Sequence, residues 1–344
     1  VSQRSYTLEQ LQDAADAVKT HGSVSAAARA MGLPPSTLQH RYEAAKVQGI
    51  GPRDFEIPHL PNKERQIDEI ISDRKKEFAR YREFEKSRKL IPVKIRLKGP
   101  IGINLHGDPH LDDPGCDIEA IERDTAIVRE TPGMFAGCIG DLQNAWVGRL
   151  AKLYAKQNTT AKEAWKLVEW YIKSCGPKLI FVLEGNHDLW AGENDLLAWI
   201  GSRENVTTEP HQIRFVLKFP NGREVRVAAR HDWPGHSMWN PTHGGLRASR
   251  FTVHDHLIVS GHRHSGGYQR TYVEASDLIS HVIQLGAYKI YDDFRNERGF
   301  NQLQISPSTT AVIDPDAKSQ KSLIHVFDDT EEAAQFLLFK RRKA

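Results

Sequence analysis

The chain has 344 residues, 39% apolar and 26% charged, enough for one large domain beside a small one and too apolar for a disordered chain. Its formal net charge of +3 is too small to argue by itself for a polyanionic partner, and no apolar run approaches the ~20 residues of a membrane span. Three cysteines, Cys116, Cys138 and Cys175, make neither a disulfide framework nor a thiolate zinc site, and read as reduced thiols.

The start, Val1-Ser2-Gln3-Arg4, lacks the apolar core of a signal peptide, so the expectation is a soluble, cytoplasmic protein without membrane contact. Thr7 is placed to cap a first helix with Leu8, Leu11, Ala15 and Val18 on one face. Ser23 opens a second, alanine-rich helix that Gly32 stops, and Pro34-Pro35 starts a third through Ser36-Thr37-Leu38-Gln39-His40-Arg41-Tyr42. A small-residue helix, a glycine turn and a Ser/Thr/Gln/Arg-faced helix resemble the helix-turn-helix of bacterial and phage regulators. That resemblance implies a DNA-binding face of Ser36, Thr37, Gln39, His40 and Arg41. Residues 1–53 hold only six Lys/Arg against four Asp/Glu, fewer positive charges than phosphate contacts normally demand. Further charge could come from Arg74 to Lys89 and from Lys340-Arg341-Arg342-Lys343, although solvated surface is the commoner meaning of both runs.

Gly51-Pro52, Pro58 and Pro61 mark a breaker-rich connector. From Asn62 to Leu90, a charged stretch with Ile67, Ile70, Ile71, Phe78 and Tyr81 near helical spacing reads as an exposed amphipathic helix, a candidate support for a homodimer. The expected divisions are 1–50, a small all-α domain; 51–90, linker and charged helix; and 91–344, the main domain.

From Ile91 the pattern changes to short apolar runs that end in chemically loaded loops. Ile101–Leu105 ends at His106-Gly107-Asp108-Pro109-His110, and Phe135–Ile139 at Gly140-Asp141. Leu179–Leu183 ends at Glu184-Gly185-Asn186-His187-Asp188, Val225–Ala229 at Arg230-His231-Asp232, and Leu257–Ser260 at Gly261-His262-Arg263-His264. Asn221-Gly222, between the alternating runs 212–220 and 223–229, predicts a two-residue hairpin turn. Thr159–Ser174 predicts an amphipathic helix and Ser276–Leu285 another strand. Strands with polar C-terminal loops, partly alternating with helices, describe an α/β layered domain with its site along one sheet edge.

Together these loops offer two Asp, one Asn and four His as ligands. Carboxylate and imidazole without thiolate suit Mn²⁺, Fe or Zn²⁺. Two cations ~3.5–4 Å apart would clamp the attacking and leaving oxygens of a displacement at phosphorus, while an uncoordinated His gives a proton to the leaving oxygen. A lone His at a strand end is more often a structural residue. Asp108-x-His110, Gly140-Asp141-x-x-Asn144, Gly185-Asn186-His187-Asp188, His231 and Gly261-His262-x-His264, in that order and each after a strand, are a far more specific set.

Over about residues 91 to 300 the set resembles the calcineurin-like metallophosphoesterase superfamily. The resemblance implies an α/β two-sheet sandwich with helices on its outer faces. It implies two divalent metal ions, manganese foremost, one on Asp108, His110 and His264 and the other on Asn186, His231 and His262, with Asp141 bridging. It further implies His187 as the leaving-group histidine, Asp188 as the group that orients it, and Asn144 as a residue facing substrate. His236 competes with His231 for the fourth-motif role; His231 directly follows its strand, which leaves His236 nearer the substrate. Trp190, Trp233 and Trp239 fall in loops beside the ligands, to stack a base or to pack beneath. The order of parts resembles phage- or prophage-encoded fusions, so the leading expectation is a phosphodiesterase or nuclease acting on DNA. A phosphatase or phosphodiesterase for a small molecule or phosphoprotein, with the N-terminal module as tether, is the second reading. A non-catalytic DNA-binding scaffold is the third, and the complete ligand set argues against it.

Overall fold

The computed structural model describes residues 6–55, 63–191, 196–291 and 306–343. They divide into two compact units, Val1–Lys75 and Lys76–Ala344. Pro58 and Pro61 of the expected connector lie outside the described residues.

The first unit holds α1 (Leu8–His21), α2 (Val24–Ala30) and α3 (Pro35–Val47). Thr7 and Gln10 form a reciprocal capping box at the start of α1, and the Ser23 hydroxyl accepts from Ala26 N to start α2, each satisfying backbone donors that a helix start leaves open. Ala14, Ala27, Ala28 and Leu38 are fully buried where the three helices meet; the small alanine side chains let the backbones approach. Downstream of α3 the chain folds back, with Gln12 Nε2 donating to Gly51 O at 2.8 Å and Arg53 paired to Asp16 at 2.7 Å. Helix α4 (Ile67–Arg88) has no buried residue, so Ile67, Ile71, Phe78 and Tyr81 stand exposed along it. Arg88, at its end, pairs with Glu209 at 2.8 Å.

The second unit is a sandwich of two sheets. In chain order its elements are β1 (Ile91–Lys94), β2 (Ile101–His106), α5 (Ile118–Glu130), β3 (Met134–Cys138), α6 (Ala161–Cys175), β4 (Leu179–Glu184), α7 (Asn186–Trp190) and α8 (Leu196–Arg203). Then come β5 (Thr207–Pro210), β6 (Gln212–Lys218), β7 (Glu224–Arg230), α9 (His243–Phe251), β8 (Leu257–Ser260), β9 (Gly267–Val273) and β10 (Leu278–Gln284). Last are β11 (Ser308–Ile313), β12 (Ile324–Phe327) and a tenth helix, α10 (Thr330–Arg341). One six-stranded sheet runs β1-β6-β7-β8-β10-β9 and the other β12-β11-β2-β3-β4-β5.

Strand alternation explains the layers. Ile101, Ile103 and Leu105 of β2 meet Val225, Val227 and Ala229 of β7 and Leu257 and Val259 of β8 in the core between the sheets. Residues of the opposite parity face helices: Met134, Ala136 and Cys138 of β3 pack with Ile121, Val168, Tyr171 and Leu337, while Ala228, Ile258 and Val282 pack with Ala248 of α9. Fully burying each such Leu, Ile, Val or Phe contributes about 1.5–3 kcal/mol. The parallel pairings β2–β3–β4 and β7–β8–β10 put the C-terminal ends within each set on one edge, where the loaded loops emerge.

The hairpin differs from expectation. Gly222 N donates to Phe219 O and Phe219 N to Arg223 O, and only Gly222, at φ 83°, has positive φ. The turn is therefore centred on Pro220-Asn221 with Gly222 in the left-handed position, a three-residue loop in place of the two-residue Asn-Gly turn, which needs positive φ at both residues. Pro220, with φ locked negative, suits the first central position.

Two histidines, His281 of β10 and His256 just before β8, carry a stability signature. Burial, reinforced by Arg270, His325 and His256, pushes His281 down to about 4; burial and Arg226 do the same to His256. Both are neutral when folded and near 6.5 when unfolded, so the unfolded chain binds more protons between those values. Their stabilisation is complete above pH ~6.5 and is lost as pH falls towards 4. Urea midpoints are expected to fall between pH 7 and 5, and His281→Gln to flatten that fall; an unchanged slope in the variant would remove His281 from the account.

Candidate metal centre

Asp108 and His110 follow β2, Asp141 and Asn144 follow β3, Asn186 to Asp188 form the first turn after β4, His231 follows β7, and His262 and His264 follow β8. The β2 and β3 loops run together, with His110 N donating to Asp141 O at 2.9 Å and Leu111 N to Leu142 O at 2.8 Å. Gly140 lies at φ 99°, and a Cβ on Gly185 would overlap the Asp141 carboxylate; glycine is what lets these turns approach each other. His110, Asp141, His262 and His264 have φ of 44°, 54°, 66° and 49°. Left-handed backbone at non-glycine residues costs about 1–3 kcal/mol each and clusters at functional sites.

Four atoms converge around the His231 ring. Its Nδ1 donates to Ile139 O at 2.7 Å, a carbonyl that only accepts. Its Nε2 then faces Asn186 Oδ1 at 3.1 Å, His262 Nδ1 at 3.2 Å and Asp141 Oδ2 at 3.2 Å. On a neutral ring all four are electron-pair donors, and a positive charge among them, either a proton on Nε2 or a bound cation in its place, makes the arrangement favourable. Burial alone would lower the His231 pKa, yet Asp141 and Asp108 outweigh it and push it up to about 10. Burial would likewise raise Asp141, but His231 beside it holds the carboxyl below the usual range.

A second cluster adjoins the first. His110 Nε2 and His264 Nε2 lie 3.3 Å apart, and His264 Nε2 is 3.6 Å from Asp108 Oδ2. Both Asp108 oxygens are buried without a well-formed hydrogen bond, as is His110 Nδ1. A charged carboxylate at such depth costs several kcal/mol unless a cation compensates it, and in the absence of one burial pushes the Asp108 carboxyl well above the usual carboxylate range. Burial, then crowding by neighbouring groups, holds His110 and His262 below the ordinary imidazole pKa, so both present lone pairs at neutral pH. Two ligand groups within 4.8 Å emerge, His110–Asp141–His187 and Asp141–His231–His262, with Asp141 common to both. The donors are oxygen and imidazole nitrogen throughout, and the residues fit divalent cations.

His187 stands at the rim. Its Nδ1 donates to the carbonyl of Asn144, its Nε2 lies 4.0 Å from Asp141 Oδ2, and its ring sits 4.9 Å from His110, 5.1 Å from Trp146 and 4.5 Å from Trp190. Asp188 does not hold that ring, contrary to expectation. Its carboxylate accepts from the backbone N–H groups of Asp141 (2.7 Å), Leu142 (3.0 Å) and Gly185 (2.9 Å), because at the third position of the α7 turn it points back across the loop neck. Asp188 is a brace for the Asp141 turn, and the Asn144 carbonyl orients His187. The Asn144 amide is itself buried, donating to Asp113 at 2.9 Å and Gln157 at 3.2 Å.

His236 is outside the ligand cluster: exposed, it accepts from Arg263 at 2.8 Å, while Arg263 also grips Asp232 at 3.1 Å. That pair ties the β7 loop to the β8 loop. Trp233 is buried with its indole N–H on Val259 O at 3.0 Å, whereas Trp239 is 94% exposed. On α3, Ser36, Gln39 and His40 are exposed and Thr37 half-buried. Arg41 Nε is buried without a hydrogen bond, with its guanidinium 5.8 Å from the Tyr6 ring. Of the basic tail, Lys340 pairs with Asp314 at 2.6 Å and Arg341 donates to Pro100 O at 2.5 Å. Sequence reading passed over Trp146, whose signal was its place two residues beyond Asn144, and Lys289, which is buried against Asp113 at 2.9 Å and lies 5.1 Å from the Trp146 ring.

No family model and no curated protein matches the chain. Among solved structures it is similar to the nuclease MPE of Pseudomonas putida, at 16% identity over 65% of this chain and 87% of that one, with a TM-score of 0.31. It is similar also to a metallophosphoesterase from Sphaerobacter thermophilus, at 15% identity over 70% and 94%, TM-score 0.34. A third is Vps29 complexed with zinc from Entamoeba histolytica, at 11% identity over 66% and 97%, TM-score 0.32. Likenesses this distant leave the chemistry to be read from this chain's own side chains.

Proposed function

We propose that the chain is a metal-dependent phosphoric ester hydrolase of the calcineurin-like type, acting as a phosphodiesterase on DNA. The observation that carries the reading is the convergence of His231 Nε2, Asn186 Oδ1, His262 Nδ1 and Asp141 Oδ2 on one point, beside the orphaned carboxylate of Asp108. Asp108, His110 and His264 would hold one divalent cation, and Asn186, His231 and His262 the other, with Asp141 shared. When bound, the pair would polarise phosphoryl oxygens and make hydroxide available near neutral pH. The protein's own part is proton delivery and positioning. With Nδ1 held by Asn144 O, His187 presents Nε2 to the centre and gives its proton to the leaving ester oxygen. The three-helix N-terminal unit, with Ser36, Thr37, Gln39, His40 and Arg41 along α3, would recruit the DNA.

Metal-stripped protein is expected to take up two Mn²⁺ per chain, measured by elemental analysis after desalting. At 100-fold excess over the dissociation constant, each independent site would stabilise the fold by about 2.7 kcal/mol. The same protein given end-labelled single- and double-stranded DNA should cleave with Mn²⁺ and stop with EDTA. Hydrolysis of a generic phosphodiester without cleavage of DNA would move the substrate to a small ester or phosphoprotein. No metal uptake would overturn the reading.

A further inference from the structure

The segment between Asn144 and Gln157 is a loop closed at its neck on the metal centre. Asn144 Nδ2 donates to Gln157 Oε1 at 3.2 Å, and Asn144 N to Asp112 Oδ1 at 2.8 Å. Gln157 Nε2 donates to Asp112 Oδ2 at 2.5 Å, and Thr159 Oγ1 to Asp112 O at 2.6 Å. The chain thus leaves and re-enters at the residue whose carbonyl holds His187. Within the loop lies a 3₁₀ helix, Gly148–Lys156. Three residues per turn set Leu150 and Leu153 on one side, both half-buried, and Arg149 and Lys152 on another, both exposed. From Leu142 to Lys162 the chain carries Arg149, Lys152, Lys156 and Lys162 and no acidic residue. Aromatic surface accompanies the charge: Trp146 and Trp190 flank the His187 ring at 5.1 and 4.5 Å, and Trp190 and Tyr154 are 37% and 40% exposed.

We propose that this neck-closed loop is the track for the leaving strand of a single-stranded nucleic acid, with Arg149 and Lys152 on its phosphates and Trp146, Trp190 and Tyr154 offering ring faces to its bases. The proposal rests on the phosphodiesterase reading. Cationic groups interleaved with exposed rings are what a flexible polyanion with aromatic side groups requires. The position follows from proton delivery, since His187 serves the leaving oxygen and the strand attached to that oxygen departs past the residues around it. A small phosphate ester has no further phosphates to offer the basic face, and a duplex would not expose its bases to the rings.

The test is the full-length double variant Arg149→Glu/Lys152→Glu, both positions being exposed. Single-stranded oligothymidylate and bis-p-nitrophenyl phosphate would be assayed with Mn²⁺, and fluorescence anisotropy with labelled oligothymidylate measured in EDTA. The ratio of oligonucleotide to small-diester kcat/KM is expected to fall at least about tenfold, and the slope of log affinity against log salt to shrink by about 0.7 per lost phosphate contact. An unchanged ratio with an unchanged salt slope would overturn the track. Wild-type protein that hydrolyses neither substrate would sink the phosphodiesterase reading instead. The anisotropy comparison would then decide the track alone, weaker binding by the variant supporting it and equal binding rejecting it. An abasic strand of equal length is expected to bind more weakly than oligothymidylate, and equal binding would remove the rings from the proposal.

Discussion

Asp141→Asn is expected to abolish turnover and to release metal while leaving the fold intact. The substitution keeps the side chain's volume and its ability to accept from His187 N, now at 2.8 Å. It removes the one negative charge common to both ligand groups. Loss of a group merely supporting a ligand costs about 10–100-fold in metal affinity, and a ligand shared by two cations must cost more. The measurement is Mn²⁺ uptake together with phosphodiester hydrolysis, and the thermal midpoint of the variant should no longer rise with added Mn²⁺. A variant that binds two Mn²⁺ with wild-type affinity would dismiss Asp141 as the bridge.

His187→Ala is expected to separate chemistry from metal binding. The ring hangs from the Asn144 carbonyl and its Nε2 stays 4.0 Å from Asp141 Oδ2, within reach of a substrate oxygen placed between them. Loss of a general acid lowers kcat by about 10²–10⁴-fold, and the loss should be largest for a sugar alkoxide and small for p-nitrophenolate, which leaves without a proton. Metal content should stay at the wild-type value. His187 also falls within one of the two ligand groups, with His110 and Asp141. A His187→Ala protein that loses one metal, with equal losses on both leaving groups, would make it a ligand and the acid would have to be sought elsewhere.

The candidate centre was legible because each candidate ligand sits within a few residues of a strand end, often behind a glycine, and strand ends are marked by the change from apolar to polar. The roles within it were less legible. Asp188 follows His187 directly, and adjacency suggested that one orients the other, but at the start of α7 its carboxylate instead collects three backbone N–H groups. Trp146 had no signal beyond its place two residues past Asn144, and it meets His187 where the Asn144 carbonyl accepts from that ring.

The C-terminal part of the fold was hidden for a different reason. Strand β11, Ser308–Ile313, begins Ser-Thr-Thr and reads as surface, yet it pairs antiparallel with β2 in the middle of its sheet. Its hydroxyls are absorbed by a buried network in which Asn104 Nδ2 donates to Thr310 at 2.8 Å and to Thr330 at 3.2 Å, and Ser308 donates to Asp124 at 2.8 Å. Buried polar groups are tolerated where each finds a partner, and those partners lie some 180 to 230 positions apart.

By itself the sequence determined the N-terminal helices, the strands beneath the loaded loops and the inventory of candidate metal ligands, since capping, hydrophobic period and strand-end chemistry are local properties. Only the tertiary structure decided which donors share a point, that His231 and not His236 joins them, that Asp188 braces the turn, and that a serine-threonine strand completes the second sheet. These depend on groups brought together from distant parts of the chain, where a hydrogen bond or an orphaned carboxylate acquires its energy only from what surrounds it.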